Sequence, residues 1–163
     1  MKEIMVSLVP MDDKDYMRCS RIAALDSAND LMQIEKKSHE ECVKITEDYW
    51  KKRLPKGIHT KDNYLLNITD AATHTKVGFV WGSVLDEGIH HTFCINHFMV
   101  FDEFQGKGYG KASLSKLDKF AGSKGCDGLW LSVWVKNQTA RALYEKMGYE
   151  GTYMWMKKMI VKQ

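Results

Sequence analysis

Glycines recur at every second position in Gln105-Gly106-Lys107-Gly108-Tyr109-Gly110-Lys111, a run with two lysines and no acid. Glycine puts no Cβ in the way, so a ligand can approach the backbone N–H groups closely. A helix reads from about Gly108 to Ser123 directly behind the run, with Leu114, Leu117 and Ala121 on one face. A helix start adds unpaired N–H donors and the positive end of the helix dipole, which together suit phosphate. Two common nucleotide loops do not fit. A P-loop needs Gly-Lys-Ser/Thr five positions after its first glycine, and Gly106 and Gly108 are followed there by Lys111 and Ser113. A dinucleotide loop needs glycines at i, i+2 and i+5, and here they fall at i, i+2 and i+4.

A second group of residues follows in Asn137-Gln138-Thr139-Ala140-Arg141-Ala142-Leu143-Tyr144-Glu145-Lys146-Met147-Gly148-Tyr149. Asn137 suits a helix N-cap and Gly148 the left-handed position just past the helix end. Tyr144 lies about two turns after Asn137, on the same side. Ala140 between them is small enough for a ligand to pass close. On the residues alone, Tyr144 also reads as a core aromatic on the stripe Ala140, Leu143 and Met147.

Gln105-x-x-Gly108-x-Gly110, followed at this separation by Asn137, Ala140 and Tyr144-Glu145-Lys146-Met147-Gly148-Tyr149, resembles the GNAT superfamily of acetyl-CoA-dependent N-acetyltransferases over roughly residues 60–160. The resemblance implies a single α/β domain with a mixed, mostly antiparallel sheet. Its central parallel pair would be splayed to hold CoA, with about four helices flanking the sheet. It implies acetyl transfer from acetyl-CoA to a primary amine by direct attack in a ternary complex. Acetyl-CoA is then the co-substrate, and no metal is needed. Gln105, Gly106, Lys107, Gly108, Tyr109, Gly110 and Lys111 would hold the pyrophosphate. Pantetheine would pair with the backbone of Phe98, Met99 and Val100 like an added strand. Asn137 and Ala140 would border the pantetheine arm, and Tyr144 would give its phenol proton to the departing sulfur. A non-catalytic acyl-CoA sensor is the alternative.

An alkyl amine has a pKa near 10.4 and needs a base before it can attack. The resemblance leaves that base open. Asn96 and His97, on the strand before the loop, are the candidates; Glu87 and Glu103 stay in reserve. Strict alternation puts Cys94, Asn96, Phe98 and Val100 on one face, and Ile95, His97 and Met99 on the other, unless a bulge shifts the phase. His90 and His91 read as exposed residues after a turn.

These residues need elements to position them. Residues 3–9 read as a first strand, and Asp12 or Asp13 caps a helix to about Ser27. A second helix is expected from about Asp30 to Arg53, its buried face carrying Leu31, Ile34, Ser38, Cys42, Ile45 and Tyr49. Strands follow at 63–69, 76–85 and 92–101, the last two joined at Asp86-Glu87-Gly88. Leu129 to Val135 reads as a strand buried on both faces. A helix from Gln138 to Met147 and a last strand over 149–160 complete the order. Met154-Trp155-Met156 in that strand would pack a partner strand or a neighbouring chain, so a homodimer is expected.

The chain has 163 residues, enough for one domain over 1–163, with a first strand and two helices in 1–60 and the acetyl-CoA core in 60–160. Its net charge of +3 lacks the basic excess of a nucleic-acid binder. No apolar run is long enough to span a membrane. The start, Met1 to Val6, has no signal-peptide pattern. Cys19, Cys42, Cys94 and Cys126 form no C-x-x-C pair and read as free thiols, as in a cytoplasmic protein. The acceptor is expected to be a small-molecule or peptide amine. Tyr49 to Pro55, aromatic and basic, reads as an ordinary helix end with lysines near the negative dipole.

Overall fold

The computed structural model describes residues 4–86, 88, 90–158 and 160. Strand β1 (Val6–Pro10) leads into helices α1 (Asp13–Met32) and α2 (His39–Arg53). Strands β2 (Asn63–Asp70), β3 (Lys76–Asp86) and β4 (His91–Val100) follow. Helix α3 (Tyr109–Ser123), strand β5 (Gly128–Leu131) and helix α4 (Gln138–Lys146) come last. Among the described residues, no helix is long and apolar enough to cross a membrane.

Helix starts follow their caps. Asp12 accepts from the Asp15 N–H at 2.7 Å, and Asp13 and Asp15 face the positive end of the α1 dipole. The helix runs on to Met32, beyond the expected stop at Ser27. The second helix starts at His39 rather than Asp30, because Ser38 and Glu41 form a capping box. Ser38 Oγ accepts from the Glu41 N–H at 3.2 Å, and Glu41 Oε2 accepts from the Ser38 N–H at 2.8 Å. Ser38 therefore caps the helix instead of facing the core, Leu31 belongs to α1, and Ile34 lies in the link. Ile45 and Tyr49 of the expected buried face are exposed, while Cys42, Thr46 and Trp50 are buried.

The five strands lie in chain order, and all neighbours are antiparallel except the parallel pair β4–β5. That pair was expected in the centre of the sheet. It lies at the edge, because residues 149–158 carry no strand beside β5. The strand expected to Val135 ends at Leu131, and its residues are not buried on both faces. Trp130, Trp134 and Val135 are 48%, 43% and 53% exposed, as an uncovered edge requires. The expected last strand is absent over 149–158, and Met154, Trp155 and Met156 stand in solvent. Glu3, expected in the first strand, is outside the described residues.

Alternation along the strands divides the core between the two faces of the sheet. Leu65, Phe79 and Trp81 pack under α1 and α2 with Cys19, Ala23 and Trp50. Leu66, Val80, Phe93 and Ile95 pack under α3 with Leu114, Leu117 and Ala121. The alternation breaks once on β4. Trp81 of β3 pairs with His97, yet the next residue, Gly82, pairs with Ile95, which leaves Asn96 as an extra residue in β4. A bulge of this kind turns every later side chain to the other face. Phe93 and Ile95 therefore share the α3 face with Phe98, whereas His97 and Met99 pack on the α1–α2 side. The unbroken alternation that grouped Ile95 with His97 and Met99, and Cys94 with Phe98, does not hold.

Candidate active site

Strands β4 and β5 pair only from Thr92–Gly128 to Ile95–Leu131. Pairing stops one residue before the bulge. β4 then runs on to Val100 while the chain leaves β5 at Ser132, so the two backbones separate. The gap is a cleft of about 210 Å³ between residues 95–98 and 131–134. Asn137, Ala140 and Tyr144 border it from α4, as their spacing predicted. Asp26, Ser27 and Asp30 border it from α1. α4 packs with α3 on one face of the sheet, and α1 lies on the other. The cleft therefore joins the two helical layers through the sheet.

The glycine-rich loop leaves the end of β4. Gly106 and Gly108 have φ of +69° and +92°, the left-handed region where only glycine is at ease. Space beside Gly106 is open, and an added Cβ would meet nothing within 4 Å. Among the described residues, the N–H groups of Gly106 through Lys111 have no acceptor, while Gln105 and Ala112 on either side are bonded. N–H groups left without an acceptor among the described residues, next to a helix start, suit an anion. The side chains of this loop brace it. Gln105 donates to the Val100 carbonyl at 3.0 Å and to Asp102 at 2.9 Å. Lys107 folds back onto the Glu103 carbonyl at 2.7 Å and over the Phe104 ring. Tyr109 donates to Asp70 at 2.7 Å, and this bond, with those from Thr73 and Ala72, holds the Asp70 carboxyl down at about 2. Gly110 serves packing, since a Cβ there would stand 2.9 Å from Leu143 Cδ2. Lys111 is exposed in the first turn of α3.

Tyr144 meets the cleft and touches the α3-side core. Burial pushes its phenol up to about 12, so it stays protonated through the neutral range. Its ring lies 5.5 Å from that of Tyr149, whose buried hydroxyl has no partner among the described residues. Asn137 spends its Oδ1 on the Ala140 N–H at 3.0 Å as the α4 cap. On β4, Asn96 donates to Ser83 Oγ at 2.9 Å and accepts from Arg53 at 3.3 Å. Arg53, at the end of α2, thus reaches the cleft wall, a contact its place in an ordinary helix end did not announce. His97 also lines the cleft, stacked 5.4 Å from Phe79 and edge-on to Trp50. Burial pushes its imidazole down to about 4, the wrong direction for a base at neutral pH. Phe98 lines the cleft, while Met99 and Val100 continue β4 beyond its pairing with β5.

Of the reserve acids, Glu103 lies before the loop and does not line the cleft, and Glu87 is outside the described residues. His91 sits at the opposite end of β4 with Nε2 3.2 Å from the Lys124 carbonyl, and His90 is exposed before it. Asp26 and Asp30 were not foreseen. Their signal, two acids one turn apart, is common on solvated helix faces, and only the fold carries it to the cleft.

A family model described as the acetyltransferase (GNAT) family matches residues 27–149. The chain belongs to the GNAT acetyltransferase family. An uncharacterized N-acetyltransferase of Bacillus subtilis, YycN, is 28% identical over 159 residues, covering 95% of this chain and 99% of that protein. Another from the same organism, YdgE, is 30% identical over 125 residues, covering 76% and 78% of the two chains. The crystal structure of YycN superposes with a TM-score of 0.89 at 26% identity, over 97% of this chain and all of that one. The fold predicted from the two motifs is therefore the fold found, a single α/β domain with four helices and a mixed sheet.

Proposed function

We propose that this GNAT protein transfers the acetyl group of acetyl-CoA to a primary amine by direct attack. The observation that carries the reading is the Tyr144 phenol on a cleft opened where β4 and β5 stop pairing. The released β4 edge leads from that cleft toward the glycine-rich loop and its N–H groups at the start of α3. The residues fit the co-substrate. Backbone donors at Gly106 through Lys111 suit the pyrophosphate, with Lys111 adding charge. The β4 edge over Phe98, Met99 and Val100 suits the amide-bearing pantetheine arm, and Asn137 and Ala140 border its path.

Bound acetyl-CoA supplies a thioester carbonyl as the electrophile. The chain's own residues supply position and protons. Tyr144 keeps its proton at Oη up to about pH 12 and offers it to the leaving sulfur. A backbone N–H on the free part of β4 steadies the negative charge that grows on the carbonyl oxygen.

The test mixes the purified chain with acetyl-CoA and a panel of amines and follows free thiol. Tyr144→Phe is expected to lower kcat by about 10²-fold or more while acetyl-CoA still binds. Unchanged turnover in Tyr144→Phe across pH 7–9 removes Tyr144 from the mechanism. Acetyl-CoA binding without acetylation of any amine overturns the enzyme reading in favour of an acyl-CoA sensor.

A further inference from the structure

The tail after α4 is a strand without a sheet. Residues 150–158 are all exposed and, among the described residues, their backbone groups make no hydrogen bond. Tyr153, Met154, Trp155 and Met156 are 71%, 65%, 86% and 88% exposed, four large apolar side chains in a row. A contiguous apolar patch in water marks an interaction site. Thr152, Tyr153 and Trp155 favour strands, and the run holds no proline. As a strand it would carry Tyr153 and Trp155 on one face and Met154 and Met156 on the other. The tail is tied at both ends. The Tyr149 N–H donates to the Tyr144 carbonyl at 3.0 Å, and Lys157 Nζ donates to Glu35 Oε1 at 2.9 Å in the link after α1.

The sheet has the matching vacancy. β5 pairs with β4 on one side, and its other side carries no strand among the described residues. Trp130 and, past the end of the strand, Trp134 and Val135 stand half exposed there. An open edge with apolar side chains is a template for another strand. The edge and the tail belong to one chain, yet neither satisfies the other within it. A two-fold pair of copies satisfies both at once, because the tail of each copy can meet the edge of the other.

We propose that the chain assembles as a two-fold dimer by exchange of tails, with residues 152–156 of each copy added as a strand to the β5 edge of its partner. Covering Tyr153 to Met156, Trp130, Trp134 and Val135 in both copies removes on the order of 1,500 Å² from water. Specific, stable interfaces bury about 1,200–2,000 Å², so the patch is large enough for a dimer. The covered edge runs on into residues 131–134, the wall of the cleft, so the partner's strand stands beside the site. The proposal stands apart from the acetyl-transfer reading, and either can fail alone.

The test uses the full chain without ligand. Sedimentation equilibrium is expected to give twice the chain mass, and amide exchange within residues 150–158 of the dimer is expected to be slowed by about 10²-fold or more. Trp155→Glu on the tail and Trp130→Glu on the edge are each expected to raise the dimer dissociation constant by about 10²-fold or more, since every dimer holds the change twice. Both variants return the tail amides to the exchange rate of an unstructured peptide. Met17→Glu is the control. Met17 is 70% exposed on α1, so its loss leaves the dissociation constant within about threefold of wild type, the scatter of ordinary surface changes. Circular dichroism and thermal melts of the monomeric variants check that each copy still folds. A wild type that sediments as a monomer at its highest soluble concentration overturns the proposal. So does a dimer with unprotected tail amides, or one that a folded Trp155→Glu or Trp130→Glu variant weakens no more than Met17→Glu does.

Discussion

Replacing Gly106 by alanine separates a ligand cradle from an ordinary glycine turn. Gly106 sits at φ +69°, and the Cβ of an alanine would meet no atom within 4 Å. The free protein therefore loses only the left-handed backbone preference, about 1–2 kcal/mol. For a chain of this length that lowers Tm by roughly 2–8 °C. The empty space beside the Cβ is where a pyrophosphate oxygen would approach the free N–H groups of Gly106 through Lys111. A methyl group holds the phosphate off and costs at least one charge-assisted hydrogen bond, about 1.5–3 kcal/mol. The acetyl-CoA dissociation constant is then expected to rise by about 10- to 100-fold. Gly125→Ala is the control. Its φ is +77°, its nearest neighbour is His91 Cδ2 at an ordinary 3.9 Å, and it lies past the far end of α3. It carries the same backbone cost with no loss of affinity. Thermal melts without ligand and calorimetry with acetyl-CoA measure both quantities on both variants. If Gly106→Ala melts like Gly125→Ala and also binds acetyl-CoA within twofold of wild type, the loop is not the cradle.

Gly110→Ala tests packing rather than ligand contact. Its Cβ would stand 2.9 Å from Leu143 Cδ2, so the Leu143 side chain must give way one residue before Tyr144. A stability loss of about 1–2 kcal/mol is expected, with kcat reduced more than acetyl-CoA affinity; recovery of both on trimming Leu143 to valine checks the cause. Asp15 sets an acid limit. Burial acts to raise its carboxyl, but hydrogen bonds from Lys76 and Asn67 and the charges of Lys76 and Arg18 hold it below the usual range. Its stabilisation is present above the unfolded value near 3.9 and is lost as pH falls through the lower folded value. Urea midpoints between pH 6 and pH 3 should fall more steeply for wild type than for Asp15→Asn.

The sequence was most legible where a local rule and a motif agreed. Asn137, Ala140 and Tyr144 share the cleft because helical spacing alone puts them on one side, and the N-cap makes Asn137 the start of that helix. Leu114, Leu117 and Ala121 form the buried stripe of α3 for the same reason. Legibility failed where tertiary pairing decides. Leu129 to Val135 is apolar enough for a buried strand, yet pairing ends at Leu131 because β4 bends away. The capping box Ser38-x-x-Glu41 was visible in the sequence, but the apolar spacing through Leu31 and Ile34 competed with it. Asp26 and Asp30 carry no motif at all, and their place at the cleft depends on which face of α1 meets the splay. Gln105 and Lys107 sit in the matched loop, but their side chains brace the backbone rather than face outward.

The bulge at Asn96 explains why the cleft has its chemistry as well as its shape. One extra residue in β4 turns His97 toward Trp50 and Phe79, where an imidazole is desolvated and becomes a poor base. The same residue turns Phe98 to the α3 face, where it lines the cleft beneath α4. It also changes the local twist next to the last β4–β5 pair, Ile95–Leu131, so the opening of the sheet begins where the bulge lies. Removing the extra residue would return His97 to the α3 face and extend the parallel pairing toward Val100. A continuous pairing would use the β4 backbone groups that the proposed pantetheine contact requires, and it would close the sheet between the α1 and α4 sides of the cleft. The cleft joins those two sides because the sheet is open there, and that opening starts beside a single inserted residue.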